Sequence, residues 1–339
     1  VGSIPTKRTI LFFKKTIMSS LIFSGRSNPE LTKNISKILK CKEEIETDGV
    51  VSISNFPSGE IYCQYQNNIR GKDVFIIQST NNPNEDWMEL LLLIQSARLA
   101  SANKITAVIP YFSYARQDRK SKPRSPISAR LVLDLLEKAG ATRIITLDLH
   151  NISMQGFSSI PLDSLLPCNL LINHFKTKLF KNTEAKDWIL ISPDVGGIKK
   201  VEKYSEFMNI DFGIVHKKRI NATEVEQQVI LGEVEGKNVL LIDDMSESLG
   251  TLSGAAELLK EKGAKQVVAF VSHLPLTEKG KENLQKEKNI DKILATNSTA
   301  NIFKHSKIKT IDIAPLLADA ISRTMNNKSI SSLFDIKGF

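Results

Sequence analysis

Short apolar runs alternate with segments of helical periodicity along almost the whole chain. The runs at 50–55, 73–78, 104–109, 143–148, 188–192, 211–215, 237–242, 266–271, 291–296 and 308–313 read as strands. Between them, 29–40, 86–101, 126–139, 195–208, 223–231, 251–262 and 314–326 read as helices. The first helix carries a start signal, with Asn28 as N-cap and Pro29 in the first helical position. This alternation predicts parallel sheets covered by helices on both faces. Ligands of such sheets sit at the carboxyl ends of the strands.

The pattern repeats. Gly71-Lys-Asp-Val-Phe-Ile-Ile-Gln-Ser echoes Gly236-Lys-Asn-Val-Leu-Leu-Ile-Asp-Asp, and each is followed by a helix containing Glu-Leu-Leu. Two related α/β units therefore account for the 339 residues. The Pro-bracketed stretch 160–168 is the expected boundary between a first unit at 19–164 and a second at 165–327, followed by a tail at 328–339. Residues 1–18 hold four basic and no acidic residues, and a regular pattern starts only near Met18. They are expected to be a disordered extension.

Composition narrows the classes. No apolar run approaches the roughly 18–20 residues that span a bilayer, so no membrane role is expected. The net charge is +9. The lysines are spread over helix faces and aromatics make up only 6%. A solvated basic surface with positive clefts for phosphate esters fits better than a nucleic-acid partner. Cys41, Cys63 and Cys168 are far apart and contain no CxxC, which suits a reducing, cytoplasmic compartment.

Candidate chemistry gathers at strand ends. At 239–251 four apolar residues lead into Asp243 and Asp244, then a short turn, Glu247-Ser248-Leu249-Gly250-Thr251, and a helix. Backbone N–H groups at a helix start can hold a phosphate, and carboxylates accept hydrogen bonds from sugar hydroxyls. A phosphorylated sugar satisfies both. After strand 104–109, Arg116, Gln117, Arg119, Lys120 and Lys122 lie beside two tyrosines, a set suited to polyphosphate and a nucleobase edge. Asp148 and His150, spaced i and i+2, are expected on one face of a strand end, where a divalent ion could bind. Asp194 stands in Ser-Pro-Asp-Val-Gly-Gly, placed for metal or ribose. Lys217 and Arg219 could neutralise a transferring phosphoryl group. Phe56, Ser58, Gly59 and Glu60 form a turn in which an aromatic and a carboxylate could meet a purine. The chain has no Walker A or GxGxxG sequence.

The order of these motifs resembles the ribose-phosphate pyrophosphokinase family, the phosphoribosyl pyrophosphate synthetases, from about Ser20 to Phe334. Tyr-Ala-Arg-Gln-Asp-Arg-Lys at 114–120, Asp-Leu-His with Gln155-Gly-Phe157, and Ser-Pro-Asp-x-Gly-Gly at 192–197 carry the resemblance. Lys-x-Arg at 217–219, the carboxylate loop and the terminal Ser329-Ile-Ser-Ser-Leu-Phe334 complete it. The resemblance implies an α/β fold of two phosphoribosyltransferase-like domains, each a mainly parallel sheet flanked by helices. It implies transfer of pyrophosphate from MgATP to the anomeric hydroxyl of ribose 5-phosphate, giving phosphoribosyl pyrophosphate and AMP for nucleotide biosynthesis.

The same resemblance assigns residues. Phe56, Ser58, Gly59 and Glu60 would approach adenine from a neighbouring subunit of a homo-oligomer, a hexamer in the family. Arg116 and Gln117 would hold ATP, and His150 and Asp194 would bind Mg²⁺. Lys217 and Arg219 would sit on a loop that closes over the transition state. Asp243 and Asp244 would take the ribose hydroxyls, and 247–251 the 5-phosphate. Arg70, Ser329 and Ser331 resemble part of a regulatory phosphate and ADP site.

The chain also departs from the family pattern. Glu247, Ser248 and Leu249 replace an Asp, a Thr and a small residue, so Leu249 is expected to bring bulk near the phosphate. Ser58 and Ser121 replace more polar or acidic residues, and Ile220-Asn-Ala-Thr lacks the Pro-rich form of many members. A weakly active or regulatory associated subunit is the alternative these changes raise. A plain phosphoribosyltransferase, in a third reading, would be shorter.

Overall fold

The computed structural model describes residues 20–43, 48–175, 177, 183–218, 227–300 and 303–333. The chain opens with β1 (Ser20–Ser24) and α1 (Pro29–Glu43), then a hairpin of β2 (Val51–Asn55) and β3 (Ile61–Tyr65). There follow β4 (Asp73–Ile77), α2 (Pro83–Leu99), β5 (Lys104–Ile109), α3 (Ser128–Ala139), β6 (Arg143–Leu147) and β7 (Leu162–Leu165). The second half runs through α4 (Cys168–His174), β8 (Trp188–Ser192), α5 (Ile198–Met208), β9 (Phe212–Lys218), β10 (Gln227–Leu231) and β11 (Asn238–Met245). It ends with α6 (Gly250–Glu261), β12 (Gln266–His273), α7 (Glu278–Lys286), β13 (Lys292–Thr296), β14 (Ile308–Ile311) and α8 (Ala314–Met325).

The echo in the sequence becomes a topological repeat. One sheet has the order β1-β4-β5-β6-β7, all parallel. The other has the order β10-β9-β8-β11-β12-β13-β14, parallel except for β10 against β9. In each, a two-stranded antiparallel element is inserted between the first strand and its partner. Thus β4 and β11, the two echoing segments, hold equivalent places. Their apolar runs are continuous because each strand is buried on both faces. In β11, Val239 and Leu241 face one core layer while Leu240 and Ile242 face the other.

One expected helix is a strand, and the pattern left β3, β7 and α7 unmarked, β7 within the stretch expected as the boundary. The helix expected at 223–231 is, over 227–231, the edge strand β10, with Gln228 opposite Lys217; residues 221–226 lie outside the described ones. Adjacent Val229 and Ile230 fit a pleat, and the backbone of β9 outweighs a helical periodicity only a few residues long. Helix α7 had no visible pattern because it buries little beyond Gly280 and Leu284. The Thr277 hydroxyl caps it, accepting from Gly280 N at 3.2 Å.

The two units meet along a polar seam. Asp148, just past β6, is 2% exposed. Its Oδ1 lies 2.8 Å from Lys200 Nζ on α5, and its Oδ2 accepts from Ser272 Oγ at the end of β12. His273 is also buried, and its Nε2 faces the carbonyl oxygens of Leu147 at 3.1 Å and Asp148 at 3.3 Å. Burial lowers the pKa of this imidazole and favours the neutral form. Asn28 donates to Asn297 O at 3.0 Å and Ser79 to Ser298 O at 2.6 Å across the same seam. Helix α8, which follows the last strand of the second sheet, packs back against α1 in the apolar layer of the first.

Removing one partner of a buried ion pair leaves the other uncompensated. Lys200→Met is expected to lower the unfolding free energy by about 3–5 kcal/mol at neutral pH. Urea unfolding measures this, and a loss below about 1 kcal/mol would show that the pair does not hold the seam.

Candidate active site

The carboxyl ends of both sheets open onto one cleft of about 580 Å³ between the units. Arg116, Arg119 and His150 reach it from the first unit; Asp194, Lys200, Asp243, Asp244 and the start of α6 reach it from the second. A hollow of about 780 Å³ near Val229 and Lys237 lies instead at the amino end of β11, where parallel sheets do not hold ligands.

The carboxylates are placed by β11. Its apolar run anchors the strand, and the next two residues emerge at the sheet edge. Asp244 is buried and Asp243 half-buried. Asp244 Oδ2 lies 2.7 Å from His150 Nδ1, so the pair bridges the two units. Burial alone would raise the pKa of Asp244, but the His150 hydrogen bond and the Lys200 charge outweigh it and the carboxyl is lowered. Asp243 is raised, by burial first and then by its charged neighbour. The Asp244 hydrogen bond raises His150 despite the opposing effect of burial. Burial would lower the Lys200 pKa, yet Asp148 and Asp244 together raise it. The result is a cation paired with Asp148 that also feels the charges of Asp243 and Asp244.

Asp148 and His150 do not share a strand face. The strand ends at Leu147, and Asp148 takes a left-handed backbone with φ 41°. Period-two alternation stops there, so Asp148 turns into the seam and only His150 lines the cleft. Asp194 does line the cleft; its Oδ1 accepts from Gly197 N at 3.1 Å, fixing the loop before α5.

The loop after Asp244 departs from expectation in one respect. Leu249 is 1% exposed and packs in the apolar layer under α6. It turns away from the cleft, which Ser248, Gly250 and Thr251 line. The bulk expected near a phosphate is therefore in the core. Glu247, one methylene longer than Asp, extends across the cleft to Arg116 at 3.2 Å.

Other expected residues are placed elsewhere. Gln117 is tied to Ser128 Oγ at 2.6 Å and does not line the cleft. Phe56, Ser58, Gly59 and Glu60 form the exposed tip of the β2–β3 hairpin and are not among its lining residues. There Ser58 donates to Glu60 at 2.8 Å, and Phe56 meets Tyr62 edge-on at 5.9 Å. Lys217 lies on β9, but its side chain is outside the described set, as is all of Arg219. Ser329 and Ser331 bond to each other at 3.0 Å, and Arg70 begins the turn before β4 with its N–H on Asn68 at 3.1 Å. Lys200, Ser272 and His273 were missed. Their signal was polar residues closing an apolar strand or opening the next helix.

Comparison with known proteins agrees with the geometry. Residues 20–140 match the N-terminal domain of ribose phosphate pyrophosphokinase, and 218–335 match the phosphoribosyl synthetase-associated domain. The ribose-phosphate pyrophosphokinase of Wolinella succinogenes is 42% identical over 92% of this chain and 98% of its own length. That of Chlorobaculum tepidum is 43% identical over 93% and 95%. The crystal structure of phosphoribosylpyrophosphate synthetase from Mycobacterium smegmatis superposes with a TM-score of 0.83 at 33% identity, covering 91% of this chain and 99% of that one. With this agreement over nearly the full length, the chain belongs to the ribose-phosphate pyrophosphokinase family.

Proposed function

We propose that the cleft carries the family's pyrophosphoryl transfer with its two substrates on opposite walls. The observation that carries this reading is that both walls of one cleft bear binding groups: Arg116 and Arg119 from the first unit face Asp243, Asp244 and the start of α6 from the second. ATP phosphates lie toward Arg116 and Arg119, whose planar guanidinium forks suit phosphate oxygens. Ribose 5-phosphate lies over Asp243 and Asp244, which accept from its hydroxyls, with its 5-phosphate on the N–H groups of 248–251 at the start of α6. The anomeric hydroxyl loses its proton to solvent as its oxygen bonds to the β-phosphorus; the bond between that phosphorus and the α-phosphate oxygen breaks, and AMP leaves with that oxygen. Lys217 and Arg219 supply charge to the transferring group.

The donor set suits Mg²⁺. Among the described residues, no group of three or more His, Cys, Asp or Glu side chains forms a closed metal cage. Mg²⁺ typically takes one or two protein ligands and completes its shell with substrate phosphates and water. Asp194 lines the cleft, and the contact of His150 Nδ1 with Asp244 leaves Nε2 for a ligand. When bound, the ion would neutralise charge on the phosphates.

The burial of Leu249 supports an active enzyme over a regulatory subunit, since it leaves the phosphate end of the cleft uncrowded. Gln117 would have to release Ser128 to reach ATP. The exposed hairpin tip supports an assembly in which Phe56, Ser58, Gly59 and Glu60 complete a neighbour's ATP site, as a homohexamer would arrange. Arg70, Ser329 and Ser331 are assigned to regulation by phosphate or ADP. The compartment proposed is the cytoplasm, which suits three free cysteines. No helix among the described residues is long and apolar enough to cross a membrane.

Purified protein given MgATP and ribose 5-phosphate is expected to release AMP and phosphoribosyl pyrophosphate in equal amounts. Absence of AMP at every inorganic phosphate concentration, with no other chain present, would reject an active enzyme. Lys217→Ala is expected to lower kcat about 100-fold or more while ribose 5-phosphate binding persists. Rapid-quench turnover and calorimetry check the two halves, and an unchanged kcat would remove Lys217 from the reaction.

A further inference from the structure

The loop between Asp244 and α6 is held from its far side by α7, and no motif marked that contact. Glu247 O accepts from Thr277 N at 3.0 Å and from Thr277 Oγ1 at 3.2 Å. The next carbonyl, Ser248 O, accepts from Asn283 Nδ2 at 2.8 Å. Gly280 lies directly against this backbone: a Cβ there would stand 2.1 Å from Glu247 O, so only glycine permits the approach. Leu249 then takes φ 62°, a left-handed conformation unfavourable for a side chain, with that side chain sunk in the core. Its burial opposes relaxation of the turn.

These contacts have a directional consequence. In a trans peptide the carbonyl and the following N–H point opposite ways. With the carbonyls of Glu247 and Ser248 drawn to α7, the N–H groups of Ser248 and Leu249 are aimed away from it. Successive N–H groups directed to one side form an anion-binding concavity. None of this depends on the Thr and the small residue that the loop lacks.

We propose that Thr277, the N-cap of α7, and Gly280 and Asn283 on that helix, with Leu249, are positioning residues that hold the 247–250 backbone ready for the 5-phosphate of ribose 5-phosphate. The proposal rests on the reading of 247–251 as the phosphate loop. None of the four touches the reacting atoms. They act by sparing the substrate the cost of ordering the turn.

Asn283 is half-buried at the helix surface, so its variants are expected to fold. Asn283→Asp keeps the shape and loses the donor; Asn283→Ala loses both. Each is expected to raise the ribose 5-phosphate Kd about fivefold or more by calorimetry, with the KM for ATP and the melting temperature nearly unchanged. Thr251→Ala, inside the loop, is the companion variant. If Thr251→Ala weakens ribose 5-phosphate and the Asn283 variants do not, the positioning role is overturned and the loop assignment stands. If Thr251→Ala also has no effect, the loop assignment itself is overturned. Equal weakening of ATP and ribose 5-phosphate in the Asn283 variants would mean a general structural role and would also overturn the proposal.

Discussion

The site depends on a carboxylate that does not line it. Asp148 is buried where the first sheet ends, and a charge there is tolerated only because the second unit brings it Lys200 and Ser272. Neither unit satisfies this group alone. The pairing sets the distance between two sheets whose carboxyl ends must face each other. It also brings a lysine to the cleft that Asp243 and Asp244 line, so the charge balance of these two carboxylates is tied to the joint between the halves. The adjacent contacts, His150 with Asp244 and Arg116 with Glu247, span the same gap nearer the solvent.

How much of this was legible depends on what each residue answers to. Strands buried on both faces announce themselves as apolar runs, and β4 and β11 were readable for that reason. Edge and surface elements answer to their neighbours instead. The backbone of β9 decided β10, and the largely polar α7 left too little periodicity to notice. That Asp243, Asp244, His150, Asp194 and Arg116 reach one cleft was legible because each follows an apolar run, and parallel sheets open their clefts at that end.

The failures concern direction more than position. Asp148 and His150 were separated by one backbone angle, which no two-residue alternation foresees. Leu249 reads as an obstruction in a list of substitutions, but a left-handed turn carries its side chain inward. Lys200 lies on a helix rich in lysine, and only the fold shows which of them meets a buried carboxylate. Chemistry at a strand end can be inferred from residue type, whereas the groups that support it from the next element depend on tertiary contacts.

Helix α8 carries an implication for how the molecule is made. Among the described residues it is the last long element, yet it covers α1 and the first sheet. During vectorial synthesis the first half emerges early and must wait, with part of its apolar face open, until the strands of the second sheet have been translated. The halves repeat each other in topology, but they do not mature in turn. Completion of the earlier half is deferred to the end of the later one, so a nascent chain halted at the joint between them would present an unfinished core.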